Sequence, residues 1–161
     1  MMSVRDDDIV QLAAFRVGTD EYVVDIKRVR EIIRPMPITP VRKGPRFVEG
    51  VISLRGSVIP IIDLRRRFDL VEEDAPGRRI IIMTIDGRWL GLMVDSVTEV
   101  IRVPKSTIRP ASGLLESGRA PYFLGVCHYK DRTLVLLNVK NIVATDEAID
   151  VSSAAALHED L

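Results

Sequence analysis

The sequence predicts an all-β fold of two tandem five-stranded barrels with short helices, one of them near the C-terminus. Three observations carry that expectation. Short apolar runs recur along the 161 residues and are separated by turn residues rather than by helical periodicity. The turns have hairpin chemistry, Arg55-Gly56 and Asp86-Gly87 being the clearest, because glycine supplies the positive φ a tight turn or its bulge needs. The two halves also echo each other in order. Val29-Arg30-Glu31-Ile32-Ile33-Arg34 returns as Val97-Thr98-Glu99-Val100-Ile101-Arg102, and Gly50-Val51, turn, strand, Asp63-Leu64 returns as Gly125-Val126, turn, strand, Asn138-Val139. Each half therefore reads as hairpin, curved extended segment, loop, hairpin and helical turn, the make-up of a small SH3-like barrel. Neither barrel is large enough to bury much alone, so the two should share apolar surface.

In chain order, Ile9–Val17 and Tyr22–Asp25 form the first hairpin around Gly18–Glu21. Ile26–Ile33 fits one helical turn or a curved strand, and its pattern does not decide between them. Pro35, Pro37, Pro40 and Pro45 keep the next stretch extended. Val51–Leu54 and Ser57–Ile62 make the central hairpin, with Pro60 favouring an edge or a bulge and Asp63 placed to cap a basic turn, Leu64–Phe68. The charged, Pro-Gly-containing stretch 69–79 is the clearest break. It sets a first subdomain at 9–70 and a second at 78–137, followed by a helix at 138–146 capped by Asn138. In the second half Ile80–Ile85 and Trp89–Asp95 pair through Asp86-Gly87, and Val97–Val103 continues extended. Residues 104–121 form a long loop with a short helix at Leu114–Glu116, and Tyr122–Tyr129 pairs with Thr133–Leu137. The acidic N-terminal residues and an Ala/Ser/Asp-rich tail at 147–161 are expected to be flexible.

Composition narrows the function. With 23 basic and 23 acidic residues the formal net charge is zero, against a dedicated nucleic-acid binder. No run approaches the roughly 18 apolar residues of a membrane span, and no signal peptide precedes the first strand, so a cytoplasmic protein without membrane insertion is expected. One cysteine, Cys127, and two histidines leave no internal disulfide and make a zinc site improbable. Cys127 and His128 are consecutive in a strand and point to opposite faces, against a catalytic pair. No phosphate loop and no nucleophile with a base appears, so neither enzyme activity nor a cofactor is expected.

What remains are binding features. Arg55, a long cation at the tip of an apolar hairpin, needs solvent or a carboxylate, and Glu31 and Glu49 are the candidate partners. Val29, Ile32, Ile80, Leu90 and Val97 are candidates to line the seam between the barrels, a groove able to take a partner helix if open on one side. Arg65, Arg66, Arg67, Arg78 and Arg79 read as a solvated face. Their alternative use in a nucleic-acid-binding tandem barrel is disfavoured by the scarcity of aromatic neighbours for stacking.

These residues carry a resemblance. Glu21-Tyr22-x-x-Asp25-Ile26-x-x-Val29-x-Glu31-Ile32, Val48-x-Gly50-Val51 and, most specifically, Leu54-Arg55-Gly56-x-x-x-Pro60-Ile61-Ile62-Asp63-Leu64-Arg65 resemble the CheW family of chemotaxis coupling proteins over residues 9–146. Gly91-Leu92-x-Val94-Asp95-x-Val97 and Leu136-Leu137-Asn138-Val139 fit as well. The resemblance implies a stand-alone, non-enzymatic adaptor joining chemoreceptor cytoplasmic tips to a chemotaxis histidine kinase, peripherally associated with membrane receptor arrays. It also implies ring assemblies with other CheW-like domains. It places Val29, Glu31, Ile32, Arg55, Ile80, Leu90, Gly91 and Val97 at or near the receptor groove, with an Arg55–Glu31 salt bridge at its rim. It places the kinase's regulatory domain against the first barrel near Met36, Ile38 and Val41.

Overall fold

The computed structural model describes residues 8–110 and 120–144. Its first half contains β1 (Ile9–Val17), β2 (Asp20–Asp25), a 3-10 turn (Ile26–Arg28), β3 (Val29–Ile33), β4 (Val48–Leu54), β5 (Ser57–Asp63) and α1 (Leu64–Arg67). The second contains β6 (Arg79–Ile85), β7 (Arg88–Val94), β8 (Ser96–Pro104), a 3-10 turn (Lys105–Thr107), β9 (Ile108–Arg109), a 3-10 turn (Ala120–Tyr122), β10 (Phe123–Tyr129), β11 (Arg132–Leu137) and α2 (Val139–Val143). The expected helix at Leu114–Glu116 and the tail at 147–161 lie outside the described residues.

Local chemistry explains most boundaries. Arg55-Gly56 (φ 48° and 84°) and Asp86-Gly87 (φ 49° and 76°) both place two residues in the left-handed region, as a type I′ hairpin turn requires. The ambiguous stretch after β2 takes both readings in sequence. The Asp25 carboxylate accepts from the Lys27 N–H at 2.9 Å and starts one 3-10 turn, after which the chain runs extended as β3. Asp63 caps α1 through the Arg65 and Arg66 N–H groups, and Asn138 caps α2 through the Asn141 N–H.

The strand pairing divides the chain differently from the 9–70 and 78–137 split. One sheet has the order β3-β6-β7-β5-β4 and the other β8-β1-β2-β11-β10-β9. The first hairpin of each half has crossed to the other half's sheet. β6–β7 joins β3 on one side and runs parallel to β5 on the other (Ile61↔Gly91, Ile62↔Leu92), while β1–β2 joins β8 and runs parallel to β11 (Leu134↔Glu21, Val135↔Tyr22). The two barrels are thus built by reciprocal exchange. A hairpin's turn fixes its internal pairing but not the sheet edge on which it docks.

The repeat survives at atomic detail. Register shifts occur at Val48/Gly50 in β4 and at Phe123/Gly125 in β10. At Gly50 an added Cβ would lie 2.3 Å from the Thr39 carbonyl oxygen, and at Gly125 2.6 Å from that of Arg109. Thr39, bridged to Val51, is thereby the counterpart of the two-residue β9, which gives the second sheet its sixth strand. Gly50→Ala is expected to destabilise the protein by about 2 kcal/mol in denaturant titration, because the obstacle is backbone rather than a side chain that can rotate away.

The largest apolar cluster lies at the junction of the barrels and draws on both exchanged hairpins. It includes Phe15 and Tyr22 from one, Ile81 and Leu92 from the other, and Phe68 after α1. Smaller clusters fill the two interiors, around Leu12, Ile101 and Leu134 in one and Ile59, Ile80 and Ile82 in the other. Two polar devices cross the same junction. The Arg65 guanidinium donates to both Asp95 oxygens (2.9 and 2.6 Å) and to the Val71 carbonyl (2.7 Å), and Asp95 also accepts from the Gly18 N–H at 2.8 Å. Arg67 lies over the Phe47 and Tyr122 rings (4.0 and 4.8 Å) and donates to the Asn141 and Ala144 carbonyls, which holds the C-terminal end of α2.

Candidate partner-binding site

Arg55 sits at the β4–β5 tip, projected into solvent by the positive-φ turn. Of its two candidate partners the structure selects Glu31. The pair is bidentate, Nη1 to Oε1 and Nη2 to Oε2, the latter at 3.1 Å. These hydrogen bonds from Arg55 hold the Glu31 carboxyl below the usual carboxylate range and raise the guanidinium in turn. The bridge ties the hairpin tip to β3, an outer strand of its sheet. The second barrel repeats the device. Arg132, at the β10–β11 tip, reaches Glu99 on the outer strand β8 at 2.9 Å and Glu21 at 3.1 Å. Each outer strand then presents the same pair of aliphatics. Val29 and Val97 are half-buried against the junction cluster, and the residues three further on, Ile32 (38% exposed) and Val100 (50% exposed), stand open. Val100 was not among the expected site residues. The repeat that matches Val29 with Val97 also matches Ile32 with Val100 and could have found it.

Three expected groove residues are displaced inward. Ile80 is buried inside the first barrel. Gly91 faces the same interior, where an added Cβ would lie 2.7 Å from methyl groups of Ile61 and Ile80. Leu90 is buried in the junction cluster, opposite Met83. The cause is that β6 and β7 are central strands covered on both faces, so their apolar runs do not distinguish a wall from a surface. Met36 and Ile38 are half-buried against the first barrel's core, and Val41 against the junction.

The arginines of 65–79 do not form the expected solvated face, because Arg65 is buried in its pair with Asp95. Arg66 binds Glu72 at 2.6 Å, Arg67 is held as described above, and Arg78 and Arg79 donate to the Glu73 and Arg78 carbonyls. Their donors are turned onto the protein's own acceptors, and nothing supports the nucleic-acid alternative.

Beside them is a charged cleft of about 280 Å³ lined by Glu49, Asp63, Arg66, Glu72, Asp74 and Arg78. Glu49 was the other candidate for Arg55 and instead faces this cleft, with its Oε2 buried and without a hydrogen-bond partner. Burial, then the Asp63 charge, pushes its carboxyl above the usual value, against the pull of Arg66 and Arg78. A raised carboxyl pKa means the folded state binds the proton more tightly than the unfolded chain. The stabilising contribution of Glu49 is therefore complete in acid and is lost as pH rises through its folded pKa. Glu49→Gln is accordingly expected to melt higher than wild type at pH 7, with the gap closing as the pH falls into the carboxyl range.

Among the described residues no group of His, Cys, Asp and Glu is arranged to hold a metal ion. His128 makes an exposed cross-strand contact with Thr133 at 3.2 Å, and Cys127 is buried on the opposite face. No described helix is long and apolar enough to cross a membrane. Fold and site together define a tandem-barrel module whose outer strands present exposed aliphatics beside carboxylates braced by hairpin-tip arginines.

The comparisons give that module its family. The CheW-like domain family model matches residues 11–147, and the chain belongs to this family. It is 33% identical over 138 residues to the chemotaxis protein CheW of Rhizobium meliloti (strain 1021), covering 85% of this chain and 89% of that one. It is 30% identical over 134 residues to protein FrzA of Myxococcus xanthus, covering 81% and 83%. The crystal structure of the scaffolding protein TtCheW from Thermoanaerobacter tengcongensis superposes with a TM-score of 0.80 at 28% identity, covering 91% of this chain and 95% of that one. The protein is thus a chemotaxis adaptor of the scaffold type, with an all-β tandem SH3-like fold, and not an enzyme.

Proposed function

We propose that this adaptor couples chemoreceptor cytoplasmic tips to a chemotaxis histidine kinase, in the cytoplasm at membrane receptor arrays. The receptor's helical hairpin lies along the seam flanked by β3 and β8, on Val29, Ile32, Val97 and Val100, with Glu31 and Arg55 at its rim. The kinase's regulatory domain packs on the first barrel near Met36, Ile38 and Val41, and other CheW-like domains extend the assembly into rings. The observation that carries this reading is the paired presentation of Ile32 and Val100 on outer strands, each beside a carboxylate tied to a hairpin-tip arginine. Exposed aliphatics on strands braced in this way form a preorganised apolar surface with a charged rim, which suits an amphipathic helix.

The test is pull-down of the whole protein with a receptor-tip fragment and with a soluble kinase regulatory domain, wild type against Arg55→Ala. Both partners should bind wild type. The substitution should weaken receptor capture severalfold without moving the melting temperature, since an exposed pair contributes little to stability. Equal capture of the receptor by both proteins would remove Arg55 from the site, and capture of neither partner by wild type would overturn the coupling role.

A further inference from the structure

The two ends of the β6–β7 hairpin carry opposite surface features. At its tip stands Trp89, 41% exposed. Trp89 is in register with Thr84, whose hydroxyl accepts from Arg30 Nε at 2.7 Å. The nearby carboxylates are already engaged, Glu31 by Arg55 and Asp86 by Lys140. Among the described residues no carboxylate pairs with Arg88 or with the terminal nitrogens of Arg30, so the tip is apolar and cationic. At the base of the hairpin runs the loop that follows α1. Val71 is 77% exposed there and is followed by Glu72, Glu73 and Asp74. The adjoining cleft is lined by five carboxylates and two arginines. We propose that Val71–Asp74 of one copy of this chain docks on the Trp89, Arg30 and Arg88 tip of a second copy.

Three observations select that occupant. The first is distance, which keeps a copy's loop from its own tip. The Val71 carbonyl is held by Arg65, which also binds Asp95 at the foot of the hairpin, next to the Arg79↔Val94 pair. From Arg79 to Ile85 β6 then runs about 20 Å to the tip. The second is chemistry. Val71 is an exposed aliphatic for the Trp89 ring. The Glu73 and Asp74 carboxylates, unpaired among the described residues, match Arg30 and Arg88, whereas Glu72 stays with Arg66. The formal net charge is zero, so whole copies do not repel. The third is preorganisation, which lowers the ordering cost of association. Arg65 fixes the Val71 carbonyl, Arg66 binds Glu72 at 2.6 Å and Arg78 donates to the Glu73 carbonyl at 2.7 Å. The contact joins unlike surfaces, so it is head-to-tail, and a pair keeps one free loop and one free tip for further copies. It uses none of Val29, Ile32, Val97 and Val100 and requires neither receptor nor kinase, so it is independent of the coupling role.

The test is equilibrium sedimentation of the whole protein up to roughly 200 µM, because contacts below the standard interface size are weak. The average mass of wild type should rise with concentration, and high salt should reduce the rise by screening the acid–base contacts. Trp89→Ala at the tip, and Glu73→Lys with Asp74→Lys in the loop, should each weaken association about tenfold or more. Arg88→Glu serves as the tip variant if Trp89→Ala lowers the melting temperature. The decisive arm mixes a tip variant with the loop variant. Each alone should stay monomeric, but the mixture should form a dimer and stop there, because the intact loop of one meets the intact tip of the other. Wild type that is monomeric throughout, or variants that associate as wild type does, would overturn the proposal. A mixture that stays monomeric although wild type associates would also overturn it, since the contact would then join like surfaces.

Discussion

Ile32→Asp combined with Val100→Asp is expected to lower affinity for a chemoreceptor-tip fragment about 100-fold while leaving the fold intact. A buried interface anchor is typically worth 2 kcal/mol or more, and each carboxylate would have to be desolvated beneath an apolar helix face without a partner. The fold should tolerate both changes, because the side chains are 38% and 50% exposed in the free protein. Val29 is a poorer choice for the same test. It packs against the junction cluster, so a charge there would confuse lost binding with lost packing. Titration calorimetry alongside thermal melting separates the two. Unchanged affinity with unchanged melting would place the receptor elsewhere on the molecule.

Asp95→Ala is expected to be the most damaging single substitution for stability, at about 3–5 kcal/mol, because it strands the Arg65 guanidinium in a buried site. It also removes the acceptor of the Gly18 N–H. For a chain of this size the loss lowers the melting temperature by roughly 10 °C or more. The comparison with Arg65→Met plus Asp95→Leu is the informative one. Replacing both charges with apolar groups should recover much of the loss, since the cost lies in the uncompensated charge rather than in the absence of the pair. A double variant as unstable as Asp95→Ala would mean that the pair's hydrogen bonds to Gly18 and Val71, and not the charge balance, hold the junction.

The elements that could be read from the chain are those fixed by neighbours in sequence. Asp86-Gly87 and Arg55-Gly56 dictate their turns through φ, and Asp63 and Asn138 cap the turns that follow them. Arg55 declared itself as a cation needing a carboxylate, and Glu31 was one of the two candidates. The misplacements share a different cause. In Ile80-Ile81-Ile82-Met83 the odd and even positions are both buried, one set in the junction and the other in a barrel interior, so period and hydropathy give no inside and outside. Arg65 looked like its neighbours Arg66 and Arg67 because its partner Asp95 is thirty residues away in sequence.

The sequence by itself determined the hairpin strands, their turns, the caps at Asp63 and Asn138 and the duplication, though not β3 or β9, because each of these rests on contacts within a few residues or on a pattern repeated along the chain. Only the tertiary structure decided which hairpin completes which barrel. After duplication both halves offer similar sheet edges, and β1–β2 could in principle close on its own half. The observed exchange pairs Ile61 with Gly91 and Leu134 with Glu21, partners that no local signal relates. What favours it is long-range burial: both exchanged hairpins meet at one continuous core, and the Arg65–Asp95–Gly18 contacts lock that crossing. The same crossing sets β3 and β8 as the outer strands that present Ile32 and Val100, so the proposed binding surface is a product of the exchange and not of either half alone.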